Sequence, residues 1–377
     1  MRLIFVVFKV FPFGGLQKDM LAIAACCVAA GHRVTVLCRQ WDGPEAPAIE
    51  PVVLPVRGIS NHARDLAFSR RVSEELRRRP HDLVVGFNKM PGLDCYYAAD
   101  TCYLAKVLEE RGVLSRLTRR FRVYSGFERA VFSGDTELLM ISANEIAVFQ
   151  RYYGTPAERF HLLPPGIRRD RIMPVDYADR RRRFRETWRL EAQDKLVLLV
   201  GSGFRTKGLD RAIAALAALP EAERAHTRLF VVGQDNSKPF AAQARRAGVA
   251  ARVSFLQGRD DIPEFLWGAD LLIHPAYREN TGTVLLEAMV AGLPVITTDV
   301  CGYAHYVTDH AMGRVLPAPF DQPALNGALS ELLFHRADDW RARGAAFAAM
   351  ADIYAMPERA AAWIAAIGER RAITPER

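Results

Sequence analysis

Leu3-Ile4-Phe5-Val6-Val7-Phe8 is an unbroken apolar run of strand length, and it predicts a strand buried on both faces. Helically spaced apolar residues follow over 16–30 and stop at Gly31, the residue type that most readily closes a helix. Further strands are predicted over 33–38, 52–54, 82–87, 138–141 and 161–163, with helices over 63–79 and 143–153. Pro164-Pro165-Gly166 then breaks the rhythm, and a polar, arginine-rich stretch runs to about Asp194. A second series begins at Lys195-Leu-Val-Leu-Leu-Val-Gly201. It continues through strands over 228–233, 252–256, 270–274, 294–298 and 313–316, with helices between, and the pattern ends in an amphipathic helix over 357–371. Alternation of this kind predicts an α/β protein of two doubly wound, parallel, Rossmann-like sheets. Right-handed crossovers put the strand-end loops of each sheet on one edge, so two such domains facing each other would enclose a cleft. The expected division is a first domain over 1–167 and a second over 168–355, with the helix over 356–377 packing back on the first.

A chain of 377 residues exceeds the usual size of one domain, and half its residues are hydrophobic, enough for two cores. No apolar run approaches the roughly eighteen residues of a membrane span. The amino terminus turns polar at Lys9 and again at Gln17-Lys18-Asp19 without a cleavage-site pattern, so it reads as a strand and not as a signal peptide. Cys26, Cys27, Cys38, Cys95, Cys102 and Cys301 show no metal-ligand spacing and are expected to be reduced core residues of a cytoplasmic protein. The net charge of +8 and pI near 9.3 favour anionic partners: phosphorylated ligands, anionic lipid or nucleic acid. The densest runs, Arg77-Arg78-Arg79 and Arg180-Arg181-Arg182-Arg183, fall in predicted helices and are expected to be solvated faces.

The most informative chemistry lies between Tyr277 and Gly292. Glu279 and Glu287 are seven residues apart in the sense Glu-x7-Glu, and the apolar run ending at His274 precedes them. A polar loop holds Glu279, Asn280, Thr281 and Gly282, and a helix is predicted from Thr283 to its closure at Gly292. Glu279 therefore sits beyond the carboxyl end of a strand, where open α/β sheets bind ligands. Glu287 sits just over one turn into the helix, facing back to the loop. The backbone N–H groups of Gly282, Thr283 and Val284 are helix-start donors suited to an anion. Two carboxylates for hydroxyls and a positive helix end for phosphate make the chemistry of a nucleotide-sugar site. A bare pair of glutamates is commonly two solvated charges; the buried strand before it and the Gly-Leu-Pro-Val-Ile-Thr-Thr strand after it favour a site.

Two glycine-rich turns add to this. Val200-Gly-Ser-Gly-Phe-Arg-Thr-Lys-Gly208 starts like a dinucleotide fingerprint, but Thr206 stands where the third glycine belongs and the P-loop spacing is missing. Arg205 and Lys207 could still bring two cations to a diphosphate, although a plain strand–helix turn would look much the same. Phe11-Pro-Phe-Gly-Gly-Leu-Gln-Lys-Asp19 follows the first strand, where Gly14 and Gly15 would let a ligand approach the backbone and Asp19 lies a turn further on.

Taken together, these stretches resemble the retaining nucleotide-sugar glycosyltransferases of the GT-B fold, and within them the lipopolysaccharide core glucosyltransferase I family. The resemblance runs from Met1 to the last helix. Its narrower part rests on Phe11 to Asp19, Val85-Gly-Phe-Asn-Lys-Met-Pro-Gly-Leu-Asp94, Leu163-Pro-Pro-Gly-Ile167 and Val300-Cys-Gly-Tyr-Ala-His-Tyr306; the Glu-x7-Glu pair belongs to the wider group. It implies a hexosyltransferase that passes a hexose, foremost glucose from UDP-glucose, to an inner-core heptose of lipopolysaccharide on the cytoplasmic face of the inner membrane. UDP-galactose and UDP-N-acetylhexosamine are the alternative donors. It implies Glu287 on the ribose hydroxyls, Glu279 on the transferred sugar, and Arg205 and Lys207 on the diphosphate, helped by the amides of Gly282, Thr283 and Val284 and by the Gly14-Gly15 turn. Asp19 and Asn88-Lys89 would line the acceptor side. No metal or cofactor is expected beyond the donor itself, and no Asp-x-Asp motif occurs. Arg205-Thr206-Lys207 departs from the family's pattern, in which the basic pair is often adjacent.

The segment from Tyr103 to Phe132 resembles the family's membrane-interacting region. Leu104, Val107, Leu108, Val113, Leu114, Leu117, Phe121, Tyr124 and Phe127 are surrounded there by Lys106, Arg111, Arg116, Arg119, Arg120, Arg122 and Arg129. The pattern alone fits a core-facing helix with a wet basic side equally well; the resemblance favours docking on an anionic membrane surface. A Rossmann oxidoreductase is disfavoured by the missing third glycine and by the lack of an acidic residue closing the second strand of either series. A nucleic-acid partner is disfavoured because the high pI comes without a reading motif or interleaved surface aromatics.

Overall fold

The structure, a computed structural model, describes residues 1–373 apart from 13, 45–46, 111–112 and 337. It divides into two units, residues 1–166 with the segment from Ala355 onward, and Ile167–Tyr354. The first unit runs β1 (Arg2–Val6), α1 (Gly15–Ala29), β2 (Arg33–Cys38), β3 (Ile49–Val53), α2 (Asn61–Arg78), β4 (Leu83–Gly86) and β5 (Cys95–Ala98). It continues with α3 (Tyr103–Glu110), α4 (Arg119–Phe132), β6 (Glu137–Met140), α5 (Ala143–Tyr153) and β7 (Phe160–Leu162). All seven strands are parallel, in the order β3-β2-β1-β4-β5-β6-β7. β1 shows why the apolar run has no polar alternation: Leu3, Phe5 and Val7 enter one core layer, Ile4 and Val6 the other. Both faces are covered, so Leu3 to Val7 are all buried.

The second unit runs α6 (Tyr177–Thr187), β8 (Lys195–Val200), α7 (Leu209–Ala218), α8 (Glu221–Ala225), β9 (Thr227–Val232), α9 (Lys238–Arg246), β10 (Val253–Phe255) and α10 (Ile262–Gly268). It continues with β11 (Leu271–His274), α11 (Thr283–Val290), β12 (Val295–Thr298), α12 (Ala304–Asp309), β13 (Gly313–Leu316), α13 (Gln322–Ser330) and α14 (Trp340–Ala348). Its six strands are parallel, in the order β10-β9-β8-β11-β12-β13. The chain then returns to the first unit with α15 (Met356–Ile373), where Ala360, Ile364 and Ile367 join Met20, Ile23 and Cys27 of α1 in the layer beneath β1. In each sheet the strand order reverses once, between β1 and β4 and between β8 and β11. Loops diverge at such switch points and leave a crevice at the carboxyl ends of the strands.

Three readings of the sequence need correction. β5 was absent from the expected pattern; it is four residues long and fully buried, too short to show a period. The segment from Tyr103 to Phe132 is not one element but α3, a 3₁₀ turn over Val113–Leu117, and α4. Val107 and Phe127, expected at a membrane, belong to the first core, because the carboxyl half of α4 packs on the sheet with Phe132 stacked on Phe149 at 3.6 Å. Among the segment's described side chains the exposed large apolar ones are Leu114 and Leu117, while Arg111 lies outside the described residues. The arginine run of α6 is not uniformly solvated either. Arg181 pairs with Asp270 and donates to the carbonyls of Trp267, Gly268 and Ala269, satisfying the open end of α10.

Candidate active site

The turn after β8 and the loop after β11 meet at the second switch point. Gly201, Gly203 and Gly208 all have positive φ, which L side chains rarely adopt. Gly208 is also crowded: a Cβ there would lie 2.0 Å from the carbonyl oxygen of Pro275. This close approach, with the hydrogen bond from Tyr277 N to Thr206 O at 2.8 Å, locks the two loops together. Lys207 is thereby carried to Glu279. Its Nζ forms an ion pair with Glu279 Oε2, and His274 Nε2 lies 3.2 Å from the same oxygen. His274 is fully buried at the end of β11, and its Nδ1 has no partner among the described residues. Its carbonyl accepts from Thr297 Oγ1 at 3.1 Å, which ties β11 to β12.

Burial alone would raise the Glu279 carboxyl. The hydrogen bond from His274 and the charge of Lys207 outweigh it and lower the pKa to about 2. Glu279 is therefore an anion at any working pH and an acceptor of hydrogen bonds only. The loop continues to Gly282, which caps α11 at φ +85°, and no side chain caps the helix. The first N–H groups of α11, from Thr283 and Val284, thus stand beside Glu279 as donors for an anion. Cys301 pairs with Glu279 in a parallel bridge, and Tyr303 N donates to Thr281 O at 2.8 Å, so the loop after β12 braces the same segment.

Glu287 lies further along α11, half-buried, and its Oε1 accepts from Arg171 Nε at 3.2 Å. Arg171 is itself buried, in a 3₁₀ turn before α6, and its carbonyl accepts from Trp267 Nε1 at 3.3 Å. The sequence sets Lys207 on one turn, and Glu279 and Glu287 together on another stretch. The structure pairs the first two directly and gives the third a fixed cation. Arg205 is exposed on the same turn as Lys207. His274 and Arg171 were not anticipated. A lone histidine closing a buried apolar strand just before Pro275 was a usable signal for the first; Arg171, 116 residues from its partner, gave none.

In the first unit, Gly14 caps α1 with extended backbone, and Gln17 Nε2 donates back to Lys9 O at 2.9 Å. A Cβ on Gly15 would meet no neighbour, so the space beside it is open. Asp19 points to β5, where Tyr97 OH donates to its Oδ2 at 2.9 Å, and burial pushes its carboxyl up to about 6 against that hydrogen bond. Asn88 and Lys89, expected to line the acceptor side, are held by neighbours. Asn88 Oδ1 accepts from Phe8 N at 2.7 Å. Lys89 pairs with Glu128, a fully buried carboxylate that also accepts from Tyr103 N, Leu104 N and Tyr153 OH. A buried charge needs such compensation, and Lys89 supplies it. A cavity of about 490 Å³ lies at the opposite, amino edge of the second sheet, beside Asp270 and Pro294. None of the residues singled out for chemistry lines it, and its Arg181 is already paired.

Comparisons with known proteins identify the family and the fold. The family model for glycosyl transferases group 1 matches residues 180–346, and that for glycosyltransferase family 4 matches residues 13–171. The lipopolysaccharide glucosyltransferase WaaG of Escherichia coli strain K12 is 47% identical over 361 residues, which cover 95% of this chain and 96% of that one. The crystal structure of WaaG, a glycosyltransferase involved in lipopolysaccharide biosynthesis, matches with a TM-score of 0.92 at 46% identity over 96% of this chain and 99% of that one. Anabaena HepE in complex with UDP-glucose matches with a TM-score of 0.68 over 99% of both chains; at 18% identity this likeness concerns the fold alone. The two parallel Rossmann-like sheets are those of a GT-B protein. The chain therefore belongs to the WaaG family of group 1 glycosyltransferases and is a hexosyltransferase.

Proposed function

We propose that the chain transfers glucose from UDP-glucose to an inner-core heptose of lipopolysaccharide, with retention at the anomeric carbon. The observation that carries this reading is the Lys207–Glu279–His274 cluster at the second switch point, beside the uncapped start of α11. A nucleotide sugar needs both features: a fixed carboxylate for its hydroxyls and positive charge for its diphosphate. The second unit takes the donor. Glu287, oriented by Arg171, accepts from the ribose hydroxyls, and Glu279 accepts from the hexose. Arg205, Lys207 and the amides at Gly282, Thr283 and Val284 meet the charge that builds on departing UDP. The first unit takes the acceptor, with Asp19 near the receiving hydroxyl. A carboxyl held at about 2 is a weak base and a weakened nucleophile, which favours same-face departure and attack over a glycosyl–enzyme bond at Glu279.

The acceptor's lipid keeps it at a bilayer. Leu114 and Leu117, 79% and 71% exposed beside Arg116, Arg119, Arg120 and Arg122, support docking on an anionic surface. No helix among the described residues is long and apolar enough to cross a membrane. The enzyme on this reading is peripheral, on the cytoplasmic face of the inner membrane. A donor panel tests the reading. Purified protein is given a heptose-terminated core acceptor with UDP-glucose, UDP-galactose or UDP-N-acetylglucosamine, and the product is weighed by mass spectrometry. The expected result is one added hexose from UDP-glucose, with kcat/KM at least about tenfold above the other donors. Preference for another UDP-sugar would reassign the donor, and no product from any of them would refute the reading.

A further inference from the structure

The first sheet has its own switch point, between β1 and β4, and a cavity of about 270 Å³ opens there. Its floor is built from strand ends: Phe8 after β1, Asn88 and Lys89 after β4, Asp100 and Thr101 after β5. Its far wall is α3 and α4, which bring Tyr103, Lys106, Arg120 and Tyr124. The volume is close to the lower end of ligand cavities, which run from roughly 300 Å³ upward, and it lies entirely within the first unit.

Several of these side chains are fixed by neighbours. Asn88 holds Phe8 N, Lys89 is bound to Glu128 and Thr101 O, and Tyr124 OH donates to Asp65 Oδ2 at 2.8 Å. Tyr103 packs edge-on to Tyr124 with ring centroids 5.6 Å apart, and the amide start of α3 is held by Glu128. The walls are therefore preformed. Three charged groups on them are not engaged. Among the described residues, the side chains of Lys106, Arg120 and Asp100 make no hydrogen bond or ion pair; Arg120 only lies over the Tyr124 ring, 5.7 Å from its centroid.

Two open cations, one open carboxylate and two tyrosine rings in a preformed crevice have a specific complement. We infer that this cavity binds an acidic sugar residue of the acceptor, its carboxylate or phosphate on Lys106 and Arg120, its hydroxyls on Asp100 and its ring against Tyr103 and Tyr124. A neutral sugar would leave both cations unanswered. A phosphatidylglycerol headgroup would satisfy the cations but bring no ring for the tyrosines. The inference rests on the acceptor reading given under the proposed function, and it names what that acceptor must carry.

Steady-state transfer from UDP-glucose to three acceptor preparations tests it: the native heptose-terminated core, the same core dephosphorylated, and the same core with its carboxyl groups reduced to alcohols. The double variant Lys106→Ala/Arg120→Ala is compared with wild type and with Lys106→Arg/Arg120→Lys, which keeps both charges. UDP titration confirms that each variant is folded. On the native core the double alanine variant should show KM raised at least about tenfold, as expected for loss of a charge-assisted hydrogen bond, with kcat little changed. Wild type should show the same rise on whichever modified core lacks the bound acid, and the alanine variant should be indifferent to that modification. The charge-keeping variant should stay near wild type. Equal losses by the alanine variant on all three cores would overturn the inference, as would no loss on any. So would normal transfer kinetics combined with lost binding to phosphatidylglycerol vesicles, which would assign the cavity to a lipid headgroup. No transfer by wild type to any preparation would sink the acceptor reading itself, and this inference with it.

Discussion

Glu279 is held as a carboxylate by two partners of different kinds, a mobile-ended lysine and a buried histidine, and this decides what it can do. It can receive hydrogen bonds from a sugar, but it cannot donate a proton. Asp19 is its opposite: burial favours its neutral form, so it titrates at about 6. The sign of the stability effect follows. A carboxyl raised from 3.8 to about 6 contributes stability that is complete below pH 3.8 and is lost as pH rises through about 6. Asp19→Asn should therefore become more stable relative to wild type between pH 4 and pH 7, by at most about 3 kcal/mol. Urea unfolding at both pH values measures this; a difference that does not change with pH would place Asp19 in an ordinary solvated setting. The Arg171–Glu287 pair makes a second prediction. Glu287→Ala should weaken UDP binding by about 1.5–3 kcal/mol, the range for a hydrogen bond to a charged group. Arg171→Ala should weaken it less, because the carboxylate remains but loses its orientation. Calorimetric titration of UDP checks both, and an unchanged Kd in folded Glu287→Ala would remove the ribose role.

At the scale of elements, the site depends on two loops being pressed together at Gly208. Gly208→Ala would force a Cβ into the Pro275 carbonyl at φ +75°, so it should lower Tm and cost at least about 1–3 kcal/mol, with Lys207 displaced from Glu279. A thermal melt equal to wild type would show that the turn can yield. The helices α3 and α4 carry a separate expectation. Replacing Arg116, Arg119 and Arg122 by glutamine, with Arg120 kept because it borders the cavity, should release the protein from vesicles rich in anionic lipid. Binding by wild type should also fall with salt, since attraction is screened over about 10 Å at 0.1 M ionic strength. Equal co-sedimentation of variant and wild type would leave the cluster without that role. These elements also show what the sequence could and could not reveal. Longer apolar runs such as those of β1 and β8 announce themselves, because burial on both faces leaves no alternation to misread. Cys95–Ala98 is too short to do so. Glu279, Arg205 and Lys207 were legible from their strand-end positions, but the ion pair between residues 72 apart is a property of the crevice and not of either loop. Glu128 carries no signal of its own in the sequence; only the fold shows it buried on Lys89.

The whole molecule is two units that repeat one device. Each has a parallel sheet whose order reverses once, and each carries its distinctive chemistry at that reversal: a carboxylate–lysine–histidine cluster with a helix start in the second, a cavity with open cations in the first. The net charge of +8 suits the anionic donor, acceptor and docking surface proposed above. On the proposed function, these parts together transfer glucose to a core heptose with retention. Nuclear magnetic resonance of the product made from UDP-glucose and a heptose-terminated core tests it most directly. UDP-glucose is an α-glycoside, so retention predicts one new anomeric signal with the small coupling of an α-linked glucose, correlated across the linkage to a heptose ring carbon. A large β-type coupling, a linkage to any other sugar, or no new anomeric signal would contradict the account.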